Sequence, residues 1–131
     1  MKKISLEFED IIGRYFNLKV KKHNYRIYVE EAGKGTPLLC LHTAGSDGRQ
    51  FRHILNDKKI TDNYRVIVFD LPWHGKSNPP EGYELNDYKL TTDLYKEIIM
   101  SFCKQYDLKS PVIMGCSMGG RVVLHLALEQ S

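Results

Sequence analysis

Only three cysteines occur in this chain of 131 residues. Cys40, Cys103 and Cys116 are odd in number, show no C-x-x-C spacing and each sit in an apolar stretch. They read as reduced core thiols, which argues against a disulfide framework and against a thiolate metal site. Long apolar runs are missing too, none approaching the roughly 18 residues of a membrane-spanning helix. The basic start Met1-Lys2-Lys3 resembles that of a secretory signal, but Glu7, Glu9 and Asp10 fall where its apolar core should lie, so export by that route is not expected. Charge of one sign is also lacking. Nineteen Lys and Arg stand against sixteen Asp and Glu, leaving +3, too little and too dispersed for a nucleic-acid binder. The densest basic run, Lys19-Val20-Lys21-Lys22-His23, reads as a solvated hairpin turn. With no internal repeat, low-complexity tract or Gly/Ser linker, one soluble cytoplasmic domain is the expectation.

What is present is patterned. Residues 15–20 and 25–31 are β-rich runs around a polar turn, which predicts an antiparallel hairpin. Pro37–Leu41, Arg65–Phe69 and Pro111–Met114 are short, continuously apolar runs, the signature of strands buried on both faces. Between and after them lie helical patterns: a short one at 49–56, a longer one at 87–106 carrying Leu90, Leu94, Ile98 and Phe102, and a third from Met118 to Gln130. Strand and helix alternate through the later chain. The predicted class is therefore α/β, a mostly parallel sheet flanked by helices with the hairpin at one edge.

Three motifs carry chemistry, and each follows a predicted strand. Gly115-Cys116-Ser117-Met118-Gly119 matches G-x-S-x-G between a buried strand and a helix, the context of a nucleophile elbow. The plainer reading is a glycine-rich turn with a serine helix cap. Leu39-Cys40-Leu41-His42-Thr43-Ala44-Gly45 is a strand ending in His-x-x-Gly, a loop able to aim backbone N–H groups at a substrate oxygen. Asp70-Leu71-Pro72-Trp73-His74-Gly75-Lys76-Ser77 is the third. Its Gly-Lys-Ser ending is not a phosphate-binding loop, because that motif needs glycine where Asp70 stands. No histidine pair has zinc spacing.

In order and spacing these motifs resemble the N-terminal half of an α/β-hydrolase-fold serine hydrolase, from about Tyr15 onward. The resemblance implies Ser117 as nucleophile and the N–H of Met118 as one oxyanion donor. It implies Ala44 as the second donor, with Thr43 a close competitor, and His42 as a brace for its loop. Thr43, Trp73 and His74 would border the substrate. Thr43 stands where the family often has glycine, and Pro72-Trp73 replaces its usual Arg-Gly. A serine in place of an aspartate nucleophile argues against the dehalogenase and epoxide-hydrolase branches. The resemblance implies no cofactor and a small acyl substrate: an ester, lactone, thioester or activated C–C carbonyl. An acyltransferase, a cofactor-free haloperoxidase and a non-catalytic binding protein are the rival readings on the same fold.

The fold's nucleophile needs a histidine base and an acid later in the chain. Fourteen residues follow Ser117, and among them only His125 and Glu129 are candidates, both on the helix that leads away. His74 lies at the correct end of the sheet but precedes the serine. The expectation is that residues 1–131 are the N-terminal portion of one hydrolase domain, nearly inactive alone. The strand at 111–115 would then expose an apolar edge, to be covered by a C-terminal half or by self-association.

Overall fold

The computed structural model describes residues 6–130; Met1-Lys2-Lys3, read above against a signal sequence, lies outside them. Strands β1 (Ile12–Val20) and β2 (His23–Ala32) form the expected hairpin, turning at Lys21, whose φ of 54° is left-handed. β3 (Thr36–Leu41), β4 (Tyr64–Phe69) and β5 (Val112–Gly115) complete a five-stranded sheet of order β1-β2-β4-β3-β5. β2 joins β4 antiparallel, while β3 lies parallel to both β4 and β5.

The continuous apolar runs acquire their meaning here. Alternate residues of a strand face opposite sides of the sheet, so a strand with no polar alternation must be covered twice. Leu39, Leu41, Ile67 and Phe69 pack on one side against Tyr95, Ile98, Ile99 and Phe102 of helix α3 (Thr92–Gln105) and Val122 and Leu126 of helix α4 (Met118–Gln130). Leu38, Cys40, Val66 and Val68 pack on the other against Phe51 and Leu55. That second layer is a 3₁₀ turn at Gly48–Phe51 running into helix α1 (Arg52–Leu55), followed by helix α2 (Lys58–Thr61).

The helices differ in places from the sequence reading. α3 begins at Thr92 instead of 87, because Thr91 is extended and its hydroxyl accepts the Leu94 N–H at 3.1 Å, capping the helix there. Leu90 still packs on the core, but from the preceding loop. The predicted 49–56 helix is half 3₁₀, and α2 has too few apolar residues to have been read. Cys40 is buried, whereas Cys103 and Cys116 are half-buried; all three are free thiols.

Among the described residues β5 is the sheet's second edge, although its apolar run reads as a strand covered on both faces. Val112 is 47% exposed there, and a groove of about 480 Å³ runs beside it between α3 and α4, lined by Met100, Cys103, Ile113, Val123, Leu126 and Ala127. Among the described residues no helix is long and apolar enough to cross a membrane.

One polar cluster ties four elements together. Glu31 of β2 accepts from Arg65 of β4 (2.6 Å), from Tyr106 just after α3 (2.5 Å) and from Arg14 of β1 (3.2 Å). Burial opposes ionisation of Glu31, but the Arg65 and Tyr106 hydrogen bonds outweigh it and hold the carboxyl below its ordinary pKa. A depressed folded-state pKa stabilises the fold above the unfolded carboxylate value of about 4.3, and that contribution disappears as pH falls through the folded value. Urea unfolding should therefore show Glu31→Gln less stable than the parent by a constant margin near neutrality, narrowing below about pH 4. A margin that stays flat down to pH 3 would rule the ion cluster out as its source.

Candidate functional site

Strands β4, β3 and β5 run parallel, so their C-terminal ends lie side by side and the loops that leave them share one rim of the sheet. Ligands of open parallel sheets bind at that rim. All three motifs emerge there.

The turn after β5 is the tightest. β5 ends at Gly115 and α4 begins at Met118, leaving two residues to reverse direction. Ser117 takes φ 53°, a left-handed conformation that costs a non-glycine residue about 1–2 kcal/mol. The surroundings enforce it. The Cys116 N–H donates to the Leu41 carbonyl at 3.1 Å, the Gly119 N–H to Cys116 at 2.9 Å and the Arg121 N–H to Ser117 at 2.9 Å. A Cβ on Gly115 would collide with the Gly119 backbone, and a Cβ on Gly119 with the Leu41 carbonyl. Helix and strand thus approach closer than side chains allow, which leaves Ser117 exposed at the crest of the turn. Met118 opens α4 directly behind it, where the helix dipole favours negative charge.

The loop after β3 begins with His42, which is fully buried. Its Nδ1–H donates to the Thr43 carbonyl at 2.7 Å, and its Nε2 accepts the Leu71 N–H at 3.0 Å. The second bond requires an unprotonated Nε2, so the ring is the neutral Nδ1–H tautomer. Burial also pushes the pKa of His42 down. With both nitrogens committed, His42 is a strut and not a proton acceptor. Ala44 is exposed and Thr43 half-buried, but the Thr43 N–H already donates to Gln50 Oε1 at 3.1 Å. Of the two candidate donors in this loop, Ala44 is the one left open.

The loop after β4 is fastened to its neighbour by Asp70. Its buried carboxylate accepts the Gly48 N–H at 2.7 Å and the Lys76 N–H at 2.9 Å. Ser77 Oγ donates to the Asp70 carbonyl at 2.6 Å and accepts the Tyr28 N–H at 2.9 Å. Nearby, the Arg49 guanidinium holds the Asp47 carboxyl down to about 2. Trp73 sits at φ 63°, half-exposed, its ring edge-on to Tyr83 at 4.9 Å. His74 Nδ1–H donates to the Pro72 carbonyl at 2.9 Å, and its ring lies 5.2 Å from that of His42.

Ser117, Met118, Thr43, Ala44, Trp73 and His74 therefore all belong to the three loops of one rim. His125 and Glu129 do not: they follow Ser117 along α4, and Glu129 is paired with Lys96 of α3. Among the described residues no histidine is hydrogen-bonded to Ser117, and no group of three or more His, Cys, Asp or Glu is arranged to hold a metal ion. Gln50 and Tyr95 shape this rim without having been singled out from sequence, whereas Asp70 opens the third motif read there.

A family model described as alpha/beta hydrolase fold matches residues 36–131. The chain is 34% identical over 95 residues to the magnesium-chelatase 30 kDa subunit of Rhodobacter capsulatus, covering 72% of this chain and 31% of that one. Against the crystal structure of the N-acyl homoserine lactonase AidH with N-butanoyl homoserine, it aligns with TM-score 0.73 and 31% identity over 88% of this chain and 40% of that one. An epoxide hydrolase from Vigna radiata shares the fold at TM-score 0.74 and 20% identity, over 91% of this chain and 36% of that one. The chain thus spans well under half the length of the relatives it matches.

Proposed function

The chain belongs to the alpha/beta hydrolase fold family, and on that premise we propose that Ser117 is the nucleophile of a serine hydrolase acting through an acyl-enzyme. The observation that carries this reading is the exposed serine held at φ 53° on a glycine-locked turn at the head of α4. A plain capping serine needs no such strain, and strain of this kind persists where the surrounding structure enforces it.

In the proposed reaction Ser117 Oγ bonds to the carbonyl carbon of an ester, lactone, thioester or activated C–C carbonyl as its proton passes to a base. The carbonyl oxygen becomes an oxyanion, met by the N–H groups of Met118 and Ala44. Collapse of the intermediate expels the leaving group, which takes up the proton, and leaves the acyl group on Ser117. Water then attacks the acyl-enzyme, releases the carboxylic acid and returns the proton to serine. His42 supports this by holding the Ala44 loop. Because both its nitrogens are engaged, the base is assigned to the further length that the relatives possess, and the apolar edge of β5 is proposed to be covered by that same polypeptide.

Product analysis on the complete protein tests this. With p-nitrophenyl butyrate and N-butanoyl homoserine lactone we expect free carboxylic acid from at least one of them. An acyl ester formed with added glycerol in place of acid would mark an acyltransferase, and peracid from acetate and peroxide a haloperoxidase. No acyl chemistry under any of these conditions would contradict the reading.

A further inference from the structure

We infer that Gln50 is a positioning residue for the oxyanion-binding loop: by accepting the Thr43 N–H, it leaves the N–H of Ala44, and not that of Thr43, open to a substrate oxygen. The inference deepens the serine-hydrolase reading and rests on it.

The turn contains two peptide units that matter. A trans peptide points its carbonyl and its N–H in opposite directions, so fixing one end aims the other; among the described residues no peptide is cis. The unit between residues 42 and 43 is held at both ends. Its carbonyl accepts the hydroxyl of buried Tyr95 from α3 at 3.0 Å, and its N–H donates to Gln50 Oε1 at 3.1 Å. The unit between residues 43 and 44 is held at one end only. Its carbonyl accepts from His42 Nδ1 at 2.7 Å and from the Ser46 N–H at 3.3 Å, with Gly45 at φ 72° closing the turn. Three clamped ends leave the fourth, the Ala44 N–H, without a protein acceptor among the described residues.

Of these clamps, Gln50 alone decides between two donors. Without its oxygen the Thr43 N–H is also open, and the unit it belongs to keeps only the Tyr95 bond. The peptide unit that carries the Thr43 N–H can then turn about its remaining bond, and the donor geometry that favours charge in the transition state is no longer fixed. Ground-state binding of substrate is not affected, because Gln50 is not assigned a contact with it. A positioning role of this kind lowers kcat and leaves KM alone.

The experiment uses the complete enzyme with p-nitrophenyl butyrate, comparing the parent with Gln50→Met and Ser117→Ala. Methionine nearly matches the length of glutamine without its strong acceptor. We expect kcat of Gln50→Met to fall about tenfold with KM within about twofold, an unchanged unfolding midpoint and faster amide hydrogen exchange at Thr43. If Ser117→Ala stays active, the hydrolase reading fails and this inference with it. If Ser117→Ala is inactive but Gln50→Met keeps kcat within about twofold, the inference alone is overturned. Joint loss of kcat, KM and unfolding midpoint would also overturn it, showing a structural role only.

Discussion

Ser117→Ala should lower turnover of the complete enzyme by about ten-thousandfold or more while leaving KM nearly unchanged. The size follows from the role. A hydroxyl that forms the covalent bond to the acyl group has no substitute nearby: Thr43 lies on a different loop and Cys116 is half-buried, packed on the side of the sheet that faces α1. What survives is only the rate conferred by the oxyanion donors and substrate positioning. The variant should fold normally, since alanine needs no more space than serine and the turn is held by backbone bonds from Cys116, Gly119 and Arg121. A variant within about tenfold of the parent would remove Ser117 from the reaction.

The second large effect is on the fold itself. Gly119→Ala should destabilise the protein by about 3 kcal/mol and abolish turnover. Two effects oppose each other at this position. Alanine favours a helix over glycine by about 1 kcal/mol, which would make the substitution stabilising on an ordinary helix. At Gly119, however, the new Cβ would press into the Leu41 carbonyl and lie 3.0 Å from the Leu41 side chain, at the join of β3, β5 and α4. Backbone must move to admit it, and overpacking of that kind exceeds the gain in helix propensity. The movement also displaces Ser117, two residues back. Gly120→Ala is the control: its Cβ would lie 3.1 Å from the Gly115 carbonyl, a contact relieved by a few tenths of an ångström, and should change stability by less than about 1 kcal/mol. Equal stability of the two variants, measured by urea unfolding, would contradict the close-approach account of the elbow.

Much of this was readable from the chain because the informative signals were local. A run such as Arg65–Phe69, with apolar residues at every position after the first, already states that both faces of its strand are covered, and two layers are found there. The elbow was readable because small residues two before and two after a serine, directly after such a strand, have few other uses. Legibility failed where a local helix cap competed with the apolar stripe, and where the partner was distant. Thr91 caps α3 through a bond that no periodicity announces, and the apolar stripe misled by including Leu90. Tyr95 could have been found, as it stands one turn before Ile98 and Ile99 on the same face, but its hydroxyl partner is 53 residues away. Asp70 reaches back 22 residues to the Gly48 N–H. The sequence preferred Ala44 to Thr43 as a donor but could not show that the Thr43 N–H is taken up by Gln50, seven residues on, because that bond depends on a turn whose shape the sequence pattern does not encode.

These particulars separate what the rim of the sheet is from what it does. The strained serine and the closed His42 are features of the described residues, while the base and the substrate belong to the proposal. Labelling of the complete protein with a fluorophosphonate probe, followed by peptide mass spectrometry, joins the two. The account predicts a single phosphonylated residue, Ser117, with labelling lost in Ser117→Ala and slowed in Gln50→Met. An unlabelled protein, or a label carried by any other residue, would contradict it.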